Sequence, residues 1–342
     1  MIRVVQAGLL STVQDEGRWG YQAFGMPVAG AMDMYAHRAA NMLVGNAGAA
    51  ATLEMTMLGG SFICERDCYV AVCGADMQAT LNGQPLKNWS SMRLVAGDEL
   101  VFGFAVSGCR AYLAIYGGFD VPLVMGSRST YTRGVIGGLE GRALKVGDVL
   151  GAGTDYDGAP RAAELAAEFV PTYTEDLRLR VLLGPQDDRF SAAGIETFFG
   201  NTYTIGNEAD RMGYRLEGMT IEHLEKADII SDALCLGAVQ VPGHGLPIVM
   251  MADRQTTGGY TKIATVISAD LVLLAQAKPG DRVTFVQCDD ETACAALAAK
   301  EGVYERMAAS LCASTTLGAG AKRLQVNVNG QVYRVEIKEV GI

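Results

Sequence analysis

Three polar, glycine-flanked segments hold the residue types that could do chemistry. In the first, Pro247 to Lys262, an apolar run enters Asp253-Arg254-Gln255 and continues through Thr256, Thr257, Gly258, Gly259 and Tyr260 to Lys262. Strand alternation predicts Asp253 and Gln255 on one face and Arg254 on the other. A carboxylate beside a carboxamide suits a urea-like or amide group, since one accepts N–H donors and the other offers both a donor and an acceptor. The same residues would equally build a polar hairpin.

The second segment, Gly126 to Gly134, if extended, sets Arg128, Thr130 and Thr132 on one face and Ser129, Tyr131 and Arg133 on the other, with Ser127 alongside. Hydroxyls with a guanidinium suit a carboxylate or phosphate, which arginine can grip through two parallel hydrogen bonds. A solvated loop is the alternative. In the third, Asp210 to Gly218, Met212, Tyr214 and Leu216 alternate with Arg211, Gly213 and Arg215. That pattern fits an ordinary barrel strand as well as a binding wall.

Other chemistries find no support. There is no Gly-x-x-x-x-Gly-Lys-Ser/Thr phosphate loop, no His-Glu-x-x-His and no Gly-x-Ser-x-Gly elbow, and His37, His223 and His244 are the only histidines. Cys64, Cys68 and Cys73 cluster in extended chain with no histidine nearby, which argues for buried thiols and against a zinc site. No metal ligands are expected.

The elements that must position these segments are mostly strands. Short β-type runs, at Tyr69 to Val72, Gln78 to Leu81, Ser91 to Val95, Leu100 to Phe104 and Ala111 to Tyr116, are bounded by glycine turns. Gly97-Asp98, Gly147-Asp148 and Gly280-Asp281 repeat one tight-turn device ahead of a strand. Helical spacing appears at Ala31 to Val44, where Asp33 stands as an N-cap, at Ala159 to Phe169 and at Asp290 to Leu311. The fold class is therefore mainly β, in two β-rich lobes with a few helices. A linker over Gly151 to Pro171 puts the boundary near residue 170, and alternation around Asn329-Gly330 predicts a hairpin at the tail.

Composition narrows the partners. Of 342 residues, 49% are hydrophobic and 42 are glycine, which argues for a compact, turn-rich chain and against disorder. A formal charge of −10 disfavours nucleic acid and anionic membranes. The apolar runs are far shorter than the roughly 20 residues of a membrane span, and no signal peptide is evident, so a cytoplasmic location is expected.

Together the segments resemble the biotin-dependent carboxyltransferase family. The resemblance runs in order from residue 3 to about 287, through Ala7 to Asp15 with Gly17-Arg18, Pro27 to Asp33, Ala40 to Asn46, Gly126 to Tyr131, Gly184-Pro185-Gln186, Asp210 to Gly218 and Ala252 to Asp270. It implies a β-rich lobe over 1–170, a cyclophilin-like β-barrel over 171–288, and a helical extension with a hairpin tail over 289–342. Family members include one component of the ATP-dependent 5-oxoprolinase, which works with that enzyme's A and B subunits, and half of the carboxyltransferase region of urea carboxylase. The implied reaction opens the lactam of 5-oxoproline to glutamate; phosphorylating the lactam oxygen would create a leaving group that water can displace. With no phosphate loop here, ATP with Mg²⁺ is expected at an atypical or shared site.

On this resemblance Asp253, Arg254 and Gln255 form the catalytic set, with Asp253 orienting the substrate N–H. Ser127, Arg128, Ser129, Thr130, Tyr131, Arg211, Tyr214, Thr256, Thr257, Gly258, Gly259 and Tyr260 are the expected substrate wall. Arg254 or Arg128 would neutralise phosphate or carboxylate charge, with Lys262 a further candidate. Two alternatives stay open: carboxyl transfer from carboxybiotin to urea or another amide, and a regulatory module that binds a histidine-kinase inhibitor homologous to the oxoprolinase B subunit. The tail from Val326 to Ile337 resembles the opening hairpin of a biotin carrier domain, yet no Met-Lys-Met attachment site follows, so no covalently attached biotin is expected on this chain.

Overall fold

Two-residue alternation organises the first lobe. Along strand Ser107–Ile115, Ala111, Leu113 and Ile115 face one core while Tyr112 and Ala114 face another; along Cys68–Asp76, Val70 and Val72 oppose Ala71 and Cys73 in the same way. The two strands pair antiparallel with Tyr112 opposite Cys73, so their six-stranded sheet is apolar on both faces. One face packs on a seven-stranded sheet that supplies Ile2, Val4, Phe62 and Leu100. The other receives helix Met34–Val44, whose Ala36, Ala39 and Ala40 meet Ala71 and Ala114. Small residues on both sides let the helix sit close to the sheet. Asp33 caps this helix as expected: its Oδ1 accepts from the amides of Tyr35 at 2.9 Å and Ala36 at 3.1 Å.

The second lobe is a closed barrel. Strand Asp176–Leu183 pairs in parallel with Arg282–Gln287 and antiparallel with Thr257–Val266, which closes seven strands around Leu179, Val181, Tyr203, Val249 and Phe285. Helix Ala192–Gly200 plugs one end, stacking Phe198 on Phe285 with ring centroids 4.5 Å apart. Strand Asp228–Ala233 adds to Thr257–Val266 outside the ring. The architecture is mainly β, as its alternating runs predict. The structure, a computed structural model, describes residues 1–314, 321–328 and 331–338.

The repeated glycine-aspartate turns also form as expected. Gly97, Gly147 and Gly280 all adopt positive φ, and Asp98, Asp148 and Asp281 each accept the main-chain N–H three residues earlier, from Val95, Lys145 and Lys278. The helix expected over Ala159 to Phe169 does not form. Strand Ala163–Glu164 pairs instead with Ser90–Leu94, and only a single 3₁₀ turn, Ala167–Phe169, follows. Ser91 Oγ fixes this edge by accepting from the Ala163 amide at 2.9 Å, so sheet pairing overrides the helix propensity of the alanines.

Helix Asp290–Ser314 returns to the first lobe, where Met307 and Leu311 join the core beneath helix Met34–Val44 and Arg38 sits over the Tyr304 ring at 5.1 Å. The tail strands Ala321–Val328 and Gln331–Lys338 pair antiparallel; the expected Asn329-Gly330 turn itself lies outside the described residues. Among the described residues no helix is long and apolar enough to cross a membrane.

Candidate functional site

The lobes meet at the turn after strand Ile248–Met250. The alternation expected through Asp253-Arg254-Gln255 does not persist, because the strand stops at Met250. The Arg254 amide donates to the Met251 carbonyl at 3.2 Å and the Asp253 amide to the Arg211 carbonyl at 2.7 Å, so the segment is a turn. Its three side chains diverge. Asp253 enters a buried seam between the lobes, Arg254 lines an apolar cavity of about 630 Å³, and Gln255 stands exposed in a polar cavity of about 650 Å³.

The seam is a chain of buried charges. Asp253 takes both forks of Arg211, Nε at 3.0 Å on Oδ2 and Nη2 at 2.9 Å on Oδ1. Arg211 also donates to Glu54 Oε1 at 2.5 Å and to the Gly30 carbonyl at 2.6 Å. Glu54 Oε2 accepts from the Met32 amide at 2.8 Å and the Tyr112 hydroxyl at 2.7 Å. Across the same seam Arg110 donates to Tyr214 Oη at 2.5 Å, and Gln276 joins the Cys109 and Arg110 amides to Asp33 Oδ2. Burial would raise the Glu54 carboxyl, but Arg211 and Arg110 hold it below the usual carboxylate range. Burial pushes Asp253 up against the pull of Arg211. Of the expected wall, Arg211 and Tyr214 therefore belong to this seam. Arg211 lies in the turn before strand Gly213–Glu217, which frees it from the outward face that Arg215 takes.

The 127–131 segment stands apart from the seam, and its anion is the protein's own. Ser127 Oγ donates to Asp15 Oδ1 at 2.7 Å, Ser129 Oγ donates to the same oxygen, and the Arg128 amide reaches Oδ2 at 2.5 Å. Thr130 bonds the Val13 carbonyl, and Tyr131 pairs with Ile136. These residues run as a loop, with Ser127 and Ser129 turned to Asp15 and Thr130 to Val13. The Arg128 guanidinium lies 3.4 Å from Asp155. Lys262, 4% exposed, is likewise committed, its Nζ donating to Asp232 Oδ2 at 2.7 Å.

Of the expected residues, Gln255 and Tyr260 stand open to a ligand in the polar cavity. Gln255, Tyr260, Gln240, Asp210, Arg133 and His244 line it, with the first lobe contributing Arg133. Gly258 packs behind this wall: a Cβ there would come within 2.5 Å of Gln240 Nε2 and 2.8 Å of Leu234 Cδ1, so both side chains would have to shift. Thr257, Gly258 and Gly259 do not line the polar cavity; Thr257 and Gly258 pair with Ala233 and Asp232 of strand Asp228–Ala233, and Thr256 lines the apolar cavity. Carboxamides and a phenol around a space of this size can present donors and acceptors to a small amide.

Sequence reasoning passes over Glu54, Arg110, Tyr112 and Gln276. The available signal is a lone charge inside an apolar strand, as in Thr52–Thr56 and Ser107–Ile115, since such a charge requires a buried partner.

Residues 24–287 match the family described as the carboxyltransferase domain, subdomain A and B. The chain belongs to that family. A member in Escherichia coli, the C subunit of 5-oxoprolinase, is 40% identical over 310 residues, covering 90% of this chain and 98% of that protein. Urea amidolyase of Saccharomyces cerevisiae is 32% identical over 85% of this chain but only 17% of its own length. The crystal structure of the K. lactis urea amidolyase superposes with a TM-score of 0.81 at 32% identity, over 85% of this chain and 19% of that one. The chain thus spans about a fifth of these amidolyases, and the family's carboxyltransferase fold occurs in both settings.

Proposed function

We propose that this chain is the C subunit of an ATP-dependent 5-oxoprolinase, the component that holds the lactam while the A and B subunits complete the reaction to L-glutamate. The observation that carries this reading is the end-to-end match to a bacterial protein of that name, set against a match to only a fraction of each urea amidolyase. In this reading Gln255 and Tyr260, both exposed in the polar cavity, meet the lactam N–H and C=O. Asp253, with both oxygens on Arg211, is a positioning residue that fixes the turn from which Gln255 projects.

The polar cavity is sparsely supplied with cations for a triphosphate. Its Arg133 is paired with Asp210 at 3.0 Å and its Arg215 with Glu208 at 2.7 Å, leaving no unpaired arginine on that wall among the described residues. ATP and its Mg²⁺ are expected at a site shared with, or supplied by, the partner subunits. The test is reconstitution with the A and B subunits, followed by ATP hydrolysis with 5-oxoproline, with urea and with neither. Stimulation by 5-oxoproline alone supports the proposal. An avidin-sensitive reaction with urea, or tight binding to the B subunit without turnover, would replace it with the carboxyltransferase or the regulatory reading.

A further inference from the structure

The apolar cavity on the other side of the 251–254 turn is not used in that reading. It lies between the lobes, walled by Val28, Met32 and Met34 from one side and Leu234, Leu236 and Leu271 from the other. Two cations enter it. Arg254 is 7% exposed, and its Nε and Nη1 donate to the carbonyls of Leu234 at 3.2 Å and Met251 at 3.3 Å. Among the described residues no carboxylate pairs with it. Lys300, from helix Asp290–Ser314, reaches the Ser268 carbonyl at 3.3 Å. The single acid on the wall, Glu16, is taken by Arg38 at 2.6 Å.

A guanidinium removed from water is costly unless an anion joins it. Desolvation accordingly lowers the pKa of both Arg254 and Lys300. An apolar enclosure with two cations and no free acid is complementary to an anionic head on an apolar body, and arginine's planar fork matches a carboxylate. We propose that this cavity binds an apolar monocarboxylate, its head on Arg254 and Lys300 and its body against the methionine and leucine walls. A volume of about 630 Å³ suits a molecule of that kind.

Trp19 lines the cavity and is 60% exposed, while the other tryptophan, Trp89, is buried in the first lobe, so tryptophan emission reports occupancy. The test titrates the full chain, without the A and B subunits, with octanoate and with octylamine, which carries the same tail and the opposite charge. Octanoate is expected to blue-shift the emission saturably, an effect lost in Trp19→Phe, and octylamine to leave it unchanged. Arg254→Gln should weaken octanoate at least about tenfold, roughly 1.4 kcal/mol, and Lys300→Gln at least about threefold. Equal responses to the two probes would overturn the proposal, as would unchanged octanoate affinity in Lys300→Gln. Should Arg254→Gln fail to fold, the octylamine arm and the more exposed Lys300 position still decide the matter.

Discussion

Arg211 and Asp253 grip each other from both ends: two side-chain hydrogen bonds of 3.0 and 2.9 Å run one way, and the Asp253 amide returns to the Arg211 carbonyl at 2.7 Å. Removing Asp253 takes two buried hydrogen bonds from Arg211 and leaves Glu54 as its one carboxylate partner. Asp253→Ala is expected to cost about 3–5 kcal/mol in urea denaturation. The double variant Arg211→Ala, Asp253→Ala should cost less than the sum of the singles, because the hydrogen bonds between the two side chains are then lost once and not twice. Additive losses would show that the pair is not coupled.

Gln255 separates binding from folding. It is exposed, so Gln255→Ala should leave stability within about 0.5 kcal/mol. In the reconstituted complex, 5-oxoproline-dependent ATP hydrolysis should fall at least about tenfold, or roughly 1.4 kcal/mol. Unchanged turnover would move the lactam out of the polar cavity.

Asp15 organises the 127–131 loop. In Asp15→Asn one carboxylate oxygen becomes an NH₂ group, and whichever rotamer forms, a donor faces the Arg128 amide or the serine hydroxyls. A loss of about 1–3 kcal/mol is expected, with faster proteolysis at the loop. Limited digestion and urea melts measure both.

His37 sets an acid limit on stability. It is fully buried, its Nδ1 lies 2.9 Å from Thr52 Oγ1, and desolvation depresses its pKa from the ordinary 6.5. The unfolded chain therefore binds a proton that the folded chain refuses. Stability is fully present above pH 6.5 and falls as pH drops below it, toward the depressed folded pKa. Urea midpoints between about pH 7.5 and 5 should fall more steeply in the native chain than in His37→Leu. Parallel profiles would exclude this residue as the cause.

Much of the scaffold is readable from local patterns. The Asp33 cap, the three glycine-aspartate turns and the helix from Asp290 all depend on neighbours within a few residues. The Ala159 to Phe169 segment misleads because Ser91, 72 residues away from Ala163, decides its pairing. The site is readable only in part. Gln255 and Tyr260 face the cavity, but the partners that commit Asp253, Arg128 and Lys262 sit at Arg211, Asp15 and Asp232. A motif records which side chains are present; only the fold decides which are already spoken for.

The charged seam also limits motion. Swinging the barrel away from the sandwich would tear Arg211 from Glu54, Arg110 from Tyr214, and Gln276 from Asp33 and the Cys109 and Arg110 amides. These bonds oppose a hinge motion between the lobes. On the proposed function, closure over the lactam by surface loops or by a neighbouring protein would leave these bonds intact, and the stage of turnover that excludes water would then be governed by complex assembly.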